Sequence, residues 1–123
     1  SNTYFMTRAI ELLKNSFGVS QLYQHDVKKE GKTIFTVYWH PLTIAERESI
    51  QKKSNVDDVN DYALALMITK ALDKDGNKLF QDGDKASLRR EVEANILQEI
   101  QLAMINAGQE KEVKEAKAEL KSE

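Results

Sequence analysis

Cysteine is absent from this chain of 123 residues, and proline, tryptophan and histidine are scarce, with one, one and two copies. Without cysteine the chain can form no disulfide, thiolate zinc site, iron–sulfur cluster or cysteine nucleophile. Its longest apolar run, at 63–69, falls far short of the roughly 18 residues that a membrane span needs. The opening residues also lack the apolar core of a signal peptide.

An excess of charge of either sign is also missing. Lys and Arg number 18 against 20 Asp and Glu, which leaves a net charge of -2. Such a balance argues against electrostatic nucleic-acid binding and against a polybasic membrane anchor. The length and the 41% of hydrophobic residues suit one globular domain with a sizeable core. We expect that domain to cover residues 1–108 and a charged tail to cover residues 109–123.

Apolar spacing predicts a mainly α (α+β) fold of about four helices, with one β-hairpin between the first and the second. Met6, Ile10, Leu13 and Phe17 recur at helical spacing before Gly18. Thr43 and Glu46 have the spacing of a capping box at the start of the second helix, in which Ile44 and Ile50 are the expected inner contacts. The elements are expected at 6–17, 19–39 (the hairpin, with a loop at 28–32), 44–53, 56–72 and 85–107.

Residues for catalysis or metal binding are few. His25 and His40 have no partner at the spacing of a zinc-binding helix, so we interpret both as turn or surface side chains. The Asp73–Asn77 segment resembles a calcium loop, but its glycine and its final carboxylate do not fit that pattern. A tight Asp-Gly turn explains the segment better. We therefore expect no catalytic residue, no metal, no cofactor and no enzymatic activity.

Apolar and aromatic residues remain as the candidates for binding. Phe35, Val37 and Trp39 alternate along one face of the second hairpin strand, while Tyr4 and Phe5 precede the first helix stripe. Either both faces of the hairpin are covered within the monomer, or one face or its open edge meets another chain. We take these five residues as the candidate partner-binding surface.

Two segments together resemble the tail assembly chaperones of long-tailed (siphovirus-type) bacteriophages. The first is an extended segment leading into Leu-Thr-x-x-Glu-Arg, and the second is Asp-x-Asp-Gly-x-x-Leu-Phe before an acidic cap and a long helix. The resemblance covers roughly residues 33–106. His40 and Pro41 depart from it, where polar or charged residues are expected. Nine residues carry the two motifs, and we expect them to shape the fold: Leu42, Thr43, Glu46, Arg47, Asp73, Asp75, Gly76, Leu79 and Phe80.

The resemblance implies a late, non-enzymatic protein of virion morphogenesis that acts in the cytoplasm of the infected bacterial host and is absent from the mature virion. Such a chaperone self-associates into oligomers, binds the tape measure protein and helps to recruit tail tube protein. In many members a ribosomal frameshift also yields a longer form. The charged segment at 109–123 would then be either the end of the short form or the approach to that extension.

Two other functions stay open at this point. The alternative within phage assembly is a structural or minor tail component, or a completion protein of the virion. A small DNA-binding regulator is a third class, because the helices around Ser54-Asn55 have a helix-turn-helix order. The second of those helices begins with Asp57, Asp58 and Asp61, which would repel phosphates.

Overall fold

The computed structural model describes residues 7–55 and 57–107. Over that part of the chain it has five α-helices and one antiparallel hairpin, which confirms the α+β class and the hairpin between the first two helices. Tyr4, Phe5 and the predicted tail at 109–123 lie outside the described residues. The elements are α1 (Ala9–Phe17), β1 (Tyr23–Lys29), β2 (Lys32–Trp39), α2 (Ile44–Lys53), α3 (Val59–Lys70), a 3₁₀ turn (Asp82–Asp84), α4 (Lys85–Glu91) and α5 (residues 94–107).

The predicted last helix at 85–107 is two helices. Val92 follows α4 in an extended conformation, with φ -124° and ψ 139°, and α5 begins two residues later. One straight helix over this range would be about 34 Å long. The break instead allows Leu88 of α4 and both Leu97 and Ile100 of α5 to enter the same core cluster. Tertiary packing therefore sets a boundary for which the sequence carries no proline or glycine.

The hairpin pairs Tyr23 with Trp39 at its open end and Lys29 with Lys32 at its turn. Glu30 and Gly31 both have positive φ, 53° and 80°, as in a type I′ turn, where glycine is favoured because it has no Cβ. The connection is thus a two-residue turn and not the longer loop expected at 28–32. Along β2 exposure alternates from Thr36 to Trp39, as the period-two pattern predicted.

The core forms where the inner face of the hairpin meets α3, α4 and α5. Met67 is among its largest fully buried members. Because α3 brings apolar residues to the core from several sides, it is the central helix of the fold. The buried cluster contains Val27, Val37, Trp39, Leu64, Met67, Ile68, Ala71, Leu88, Leu97 and Ile100.

The second helix begins and ends where the sequence predicts. Thr43 is its N-cap: the Glu46 N–H donates to Thr43 Oγ1 at 3.1 Å, and the Thr43 N–H donates to Glu46 Oε1 at 3.1 Å. The capping box is therefore confirmed. Ile50 is buried as expected, but Ile44 is 72% exposed. The expectation for Ile44 was wrong because the first turn of α2 presents this side chain to solvent.

The Asp73–Asn77 segment forms the tight turn predicted for it. Asp73 Oδ1 accepts from the N–H groups of Asp75 at 2.8 Å and Asn77 at 2.9 Å, and Gly76 has a φ of 84°. The turn returns the chain so that Leu79 and Phe80 pack against the core.

Candidate protein-interaction site

The first helix carries an apolar surface that nothing in the described chain covers. None of its residues is buried, and Phe17 is 74% exposed. Ile10, Leu13 and Phe17 share one side of the helix because residues three and four apart are neighbours. We call these three side chains the α1 face: Ile10, Leu13 and Phe17, all largely exposed.

The α1 face continues past the end of the helix. A shallow recess there is lined by Leu13, Phe17 and the exposed Val19, among others. Gly18 lies between them, and a Cβ at this position would come within 2.1 Å of the Lys14 carbonyl oxygen. Glycine thus lets the chain turn closely at the helix end, and the apolar surface runs on into the following segment.

The apolar surface of α1 points to an interaction because its residues are adjacent to one another. Single exposed apolar residues are common on soluble proteins, whereas a continuous patch marks an interaction surface or an aggregation risk. Full burial of one large apolar side chain contributes roughly 1.5–3 kcal/mol. Three such side chains at helical spacing on one short helix, none of them buried, are what an interaction helix needs.

The other predicted contact residues lie elsewhere. Val37 and Trp39 are 0% and 3% exposed and belong to the core, because the face on which they lie packs against the helices. Phe35, at 36% exposure, is the one of the three whose side chain is substantially exposed. It is joined near the hairpin turn by Ile34, which is largely exposed. Tyr4 and Phe5 are outside the described residues.

The first family motif ties α2 to α3. Lys70 donates to Glu46 Oε2 at 2.8 Å and reaches the Pro41 carbonyl at 3.4 Å. Partial burial opposes ionisation of Glu46, but the hydrogen bonds from Lys70 and Thr43 outweigh it and lower the pKa of that carboxyl. Thr43 and Glu46 therefore shape the fold. Leu42 and Arg47 line a cleft described below.

The second family motif is equally structural. The backbone N–H of Asn77, partly opposed by desolvation, lowers the pKa of Asp73 together with the N–H groups of Asp75 and Gly76. Asp75 and Gly76 are exposed in the turn itself. Half-buried Leu79 and Phe80 pack on the core. All five residues hold a turn that anchors the entry to α4.

Both histidines have partners within the chain. His25 Nε2 lies 3.0 Å from Glu99 Oε2, which links β1 to α5. His40 Nδ1 lies 2.8 Å from the Gln21 carbonyl oxygen, and since a carbonyl only accepts, this nitrogen is the donor. Each ring thus fastens the hairpin to a neighbouring segment.

An acidic cluster at the start of α3 is held by cations of α4. Asp58 caps α3 and Asp61 lies 2.6 Å from Lys85 Nζ, while Arg89 reaches both carboxylates. The hydrogen bond from Lys85, aided by the Asn55 N–H, lowers the pKa of Asp61. These acids stabilise the junction of two helices, in line with their expected role at a helix start.

The described ranges, 7–55 and 57–107, contain neither a metal-binding cluster nor a membrane-spanning helix. Nowhere in them do three or more His, Asp or Glu side chains come together as a metal site would require. Their helices are too short or too polar to cross a membrane.

Sequence reasoning found the stripe on α1 but could not tell that it lies uncovered. It also gave no sign that Leu102 and Ile105, one turn apart on α5, are largely exposed. An apolar stripe has the same pattern whether its own chain or another chain covers it. Comparisons with protein-family models, curated proteins and solved structures found no match for this chain.

Proposed function

We propose that this protein is a phage tail assembly chaperone: a non-enzymatic protein that self-associates, binds the tape measure protein and helps to recruit tail tube subunits. It would act in the cytoplasm of the infected bacterium and be left out of the mature virion. The observation that carries the proposal is the α1 face, an amphipathic helix surface with no buried residue.

An uncovered amphipathic helix suits a chaperone of helical clients. A helix binds a helical partner by placing apolar residues at i, i+3 and i+7 into the partner's grooves. Ile10, Leu13 and Phe17 have this spacing. Contacts of this size are weak singly, and several linked copies strengthen them through effective concentration. Self-association and client binding therefore support each other in the proposed mechanism.

The phage assignment is supported by the two motifs and by what they do in the fold. Thr43 and Glu46 cap α2, and Asp73 organises the turn before α4. Because the motif residues form a helix cap and a turn, the resemblance to the phage chaperones concerns the fold. It does not identify contact residues, which on this proposal lie on the α1 face.

Co-expression with the tape measure protein encoded in the same genome tests the client. The wild-type chain is expected to keep that protein soluble and to copurify with it. Leu13→Glu/Phe17→Glu is expected to lose both effects. The matched control is Ile44→Glu/Val59→Glu, which makes the same change in charge at two exposed apolar residues outside α1. No complex with the wild-type chain, or equal loss in both double variants, contradicts the proposal.

Mass spectrometry of purified virions tests whether the protein leaves the particle. The chaperone function predicts that it is absent from mature tails or present only in traces. Stoichiometric presence would contradict that function and favour a structural tail component.

A further inference from the structure

A cleft of about 480 Å³ lies where the open end of the hairpin meets α2, α3 and α5. Its volume is within the range of about 300–1,000 Å³ that is typical of specific binding sites. Neither the capping box nor the α1 face accounts for it. None of its lining residues belongs to the α1 face, so the two surfaces are separate.

The floor of the cleft is apolar and aromatic. Trp39 and Leu66 are buried beneath it, and Tyr62 and Met104 lie at its sides. Methionine adapts its shape to different apolar groups, and aromatic rings offer large rigid contact areas. This lining would hold an apolar side chain of substantial size.

Among the described residues that line the cleft, the charged groups have one sign. No Asp or Glu is among them, although the whole chain has a net charge of -2. Lys70 is neutralised by Glu46 at 2.8 Å. Exposed Arg47 has no ion pair with any acidic side chain of the described chain. His40 Nδ1 donates a hydrogen bond to the Gln21 carbonyl oxygen, so Nε2 is the ring nitrogen that a ligand could contact. The cleft thus combines an apolar floor with an unpaired guanidinium.

The apolar surface extends beyond the cleft along α5. Ile105 lines the cleft and is 55% exposed, and Leu102 lies one turn earlier on the same side of the helix. An occupant that covered all of this surface would be longer than a small molecule. A peptide segment of a protein fits both the cleft and the strip of α5 beside it.

We propose that this cleft binds an apolar peptide segment of a partner protein, which places an acidic side chain against Arg47. The apolar side chains of the segment lie over Trp39 and Met104, and its carboxylate forms a charge-assisted hydrogen bond with the guanidinium. This deepens the proposed function, since it names the chemistry of a client segment. The inference requires only that the partner is a protein, so its outcome does not depend on the phage assignment.

Trp39 makes the test direct, because it is the only tryptophan in the sequence and lies at the cleft. Its fluorescence reports occupancy in a titration of the full chain. The probes are two tryptophan-free synthetic peptides of about 14 residues, roughly four helical turns. Both have leucine at helical spacing; one carries glutamate beside the leucines and the other carries lysine. We expect the glutamate peptide to bind about tenfold more tightly, the size of one hydrogen bond to a charged group.

A variant that reverses the charge at the cleft provides a second test of the inference. Arg47→Glu is expected to remove the preference for the glutamate peptide and to favour the lysine peptide. The control is Arg90→Glu, the same change at an exposed arginine of α4 that is remote from the cleft lining, and it should keep the wild-type preference. Arg47 is exposed and unpaired, so the variant should fold, which circular dichroism checks.

Three results would overturn the inference. They are equal affinity of the wild-type chain for the two peptides, no Trp39 response to either, or a preference that survives Arg47→Glu. Hexanoate is titrated in parallel. If it saturates the Trp39 response as tightly as the glutamate peptide does, the cleft is a small-carboxylate site and the peptide assignment is wrong. None of these results bears on co-expression with the tape measure protein, whose failure would leave the peptide result intact.

Discussion

The first and third helices are both rich in apolar residues, yet they have opposite environments. α3 contributes four buried residues, Leu64, Leu66, Met67 and Ile68, whereas α1 contributes none. Three of them, Leu64, Met67 and Ile68, belong to the cluster that holds the hairpin, α4 and α5 together. The comparison shows that an amphipathic pattern indicates a helix in need of cover without saying what provides it.

The difference also separates stability from binding within one small chain. Side chains of α3 have their apolar contacts in the folded monomer. Those of the α1 face have few such contacts with the rest of the described chain, so truncating them should remove little from the free energy of unfolding. If the α1 face serves assembly, the same truncation removes stability only when copies or clients cover it. The two helices should therefore respond differently to equivalent mutations.

The largest expected effect is at the centre of the core. Met67→Ala deletes a fully buried side chain and should lower the free energy of unfolding by about 2–5 kcal/mol, through lost transfer energy and a cavity. Urea denaturation followed by circular dichroism measures it. Val59→Ala, at an exposed residue of the same helix, is the control and should change that energy by less than about 0.5 kcal/mol. Similar losses of stability at both positions would contradict a core centred on Met67.

A smaller loss is expected at the capping box. Thr43→Ala removes the acceptor for the Glu46 N–H and should lower the free energy of unfolding by about 1 kcal/mol. Ser49→Ala, at an exposed position of α2, should be neutral or slightly stabilising because alanine favours helices. Urea midpoints of the two variants measure the difference. An unchanged midpoint for Thr43→Ala would show that the cap contributes nothing to stability.

Acid should weaken the tie between α2 and α3. The folded pKa of Glu46 is lower than its ordinary value of 4.5, so the unfolded state binds the proton more readily. The charge on Glu46 thus stabilises the fold above about pH 4.5, and this contribution is lost as pH falls through the folded pKa.

Glu46→Gln isolates that contribution. The variant should be less stable than the wild type near neutral pH, and the gap should close as pH falls. Unfolding midpoints measured across the acid range check this. Glu48→Gln, at an exposed glutamate of α2 without an ion pair among the described residues, should follow the wild type throughout. A gap for Glu46→Gln that stays constant with pH would show that its charge is not the cause.

In dilute solution, the smallest loss of stability should come from a mutation on α1. Leu13→Ala truncates an exposed side chain and should change the free energy of unfolding by less than about 0.5 kcal/mol. Because assembly stabilises a protein by mass action, the gap to the wild type should widen as protein concentration rises. Thermal unfolding at increasing concentration measures this. A loss as large as that of Met67→Ala in dilute solution would show that α1 belongs to the core.

Local signals predicted the parts of the fold that local contacts determine. The Thr43–Glu46 spacing predicted the start of α2, the Asp73–Asn77 composition predicted the turn, and the alternation in β2 predicted which residues share a face. Each of these depends on hydrogen bonds or side-chain directions within a few residues. The sequence is enough for such features.

Tertiary contacts decided what the sequence could not predict. Val92 interrupts a continuous helical pattern so that Leu88 and Leu97 can reach one core. The face with Val37 and Trp39 turned inward, although its alternation fits either side of a sheet. For the candidate site, the stripe of Ile10, Leu13 and Phe17 was visible in the sequence, but its exposure depends on the absence of packing from distant residues of the described chain.

The central claim is that the α1 face is an assembly surface. Sedimentation velocity over a range of concentrations tests it most directly, with the wild-type chain, Leu13→Glu/Phe17→Glu and the matched Ile44→Glu/Val59→Glu. We predict that the wild type and the matched control form oligomers, while the α1 variant stays monomeric with unchanged circular dichroism. A wild-type monomer at every concentration, or equal assembly of all three proteins, would contradict the claim.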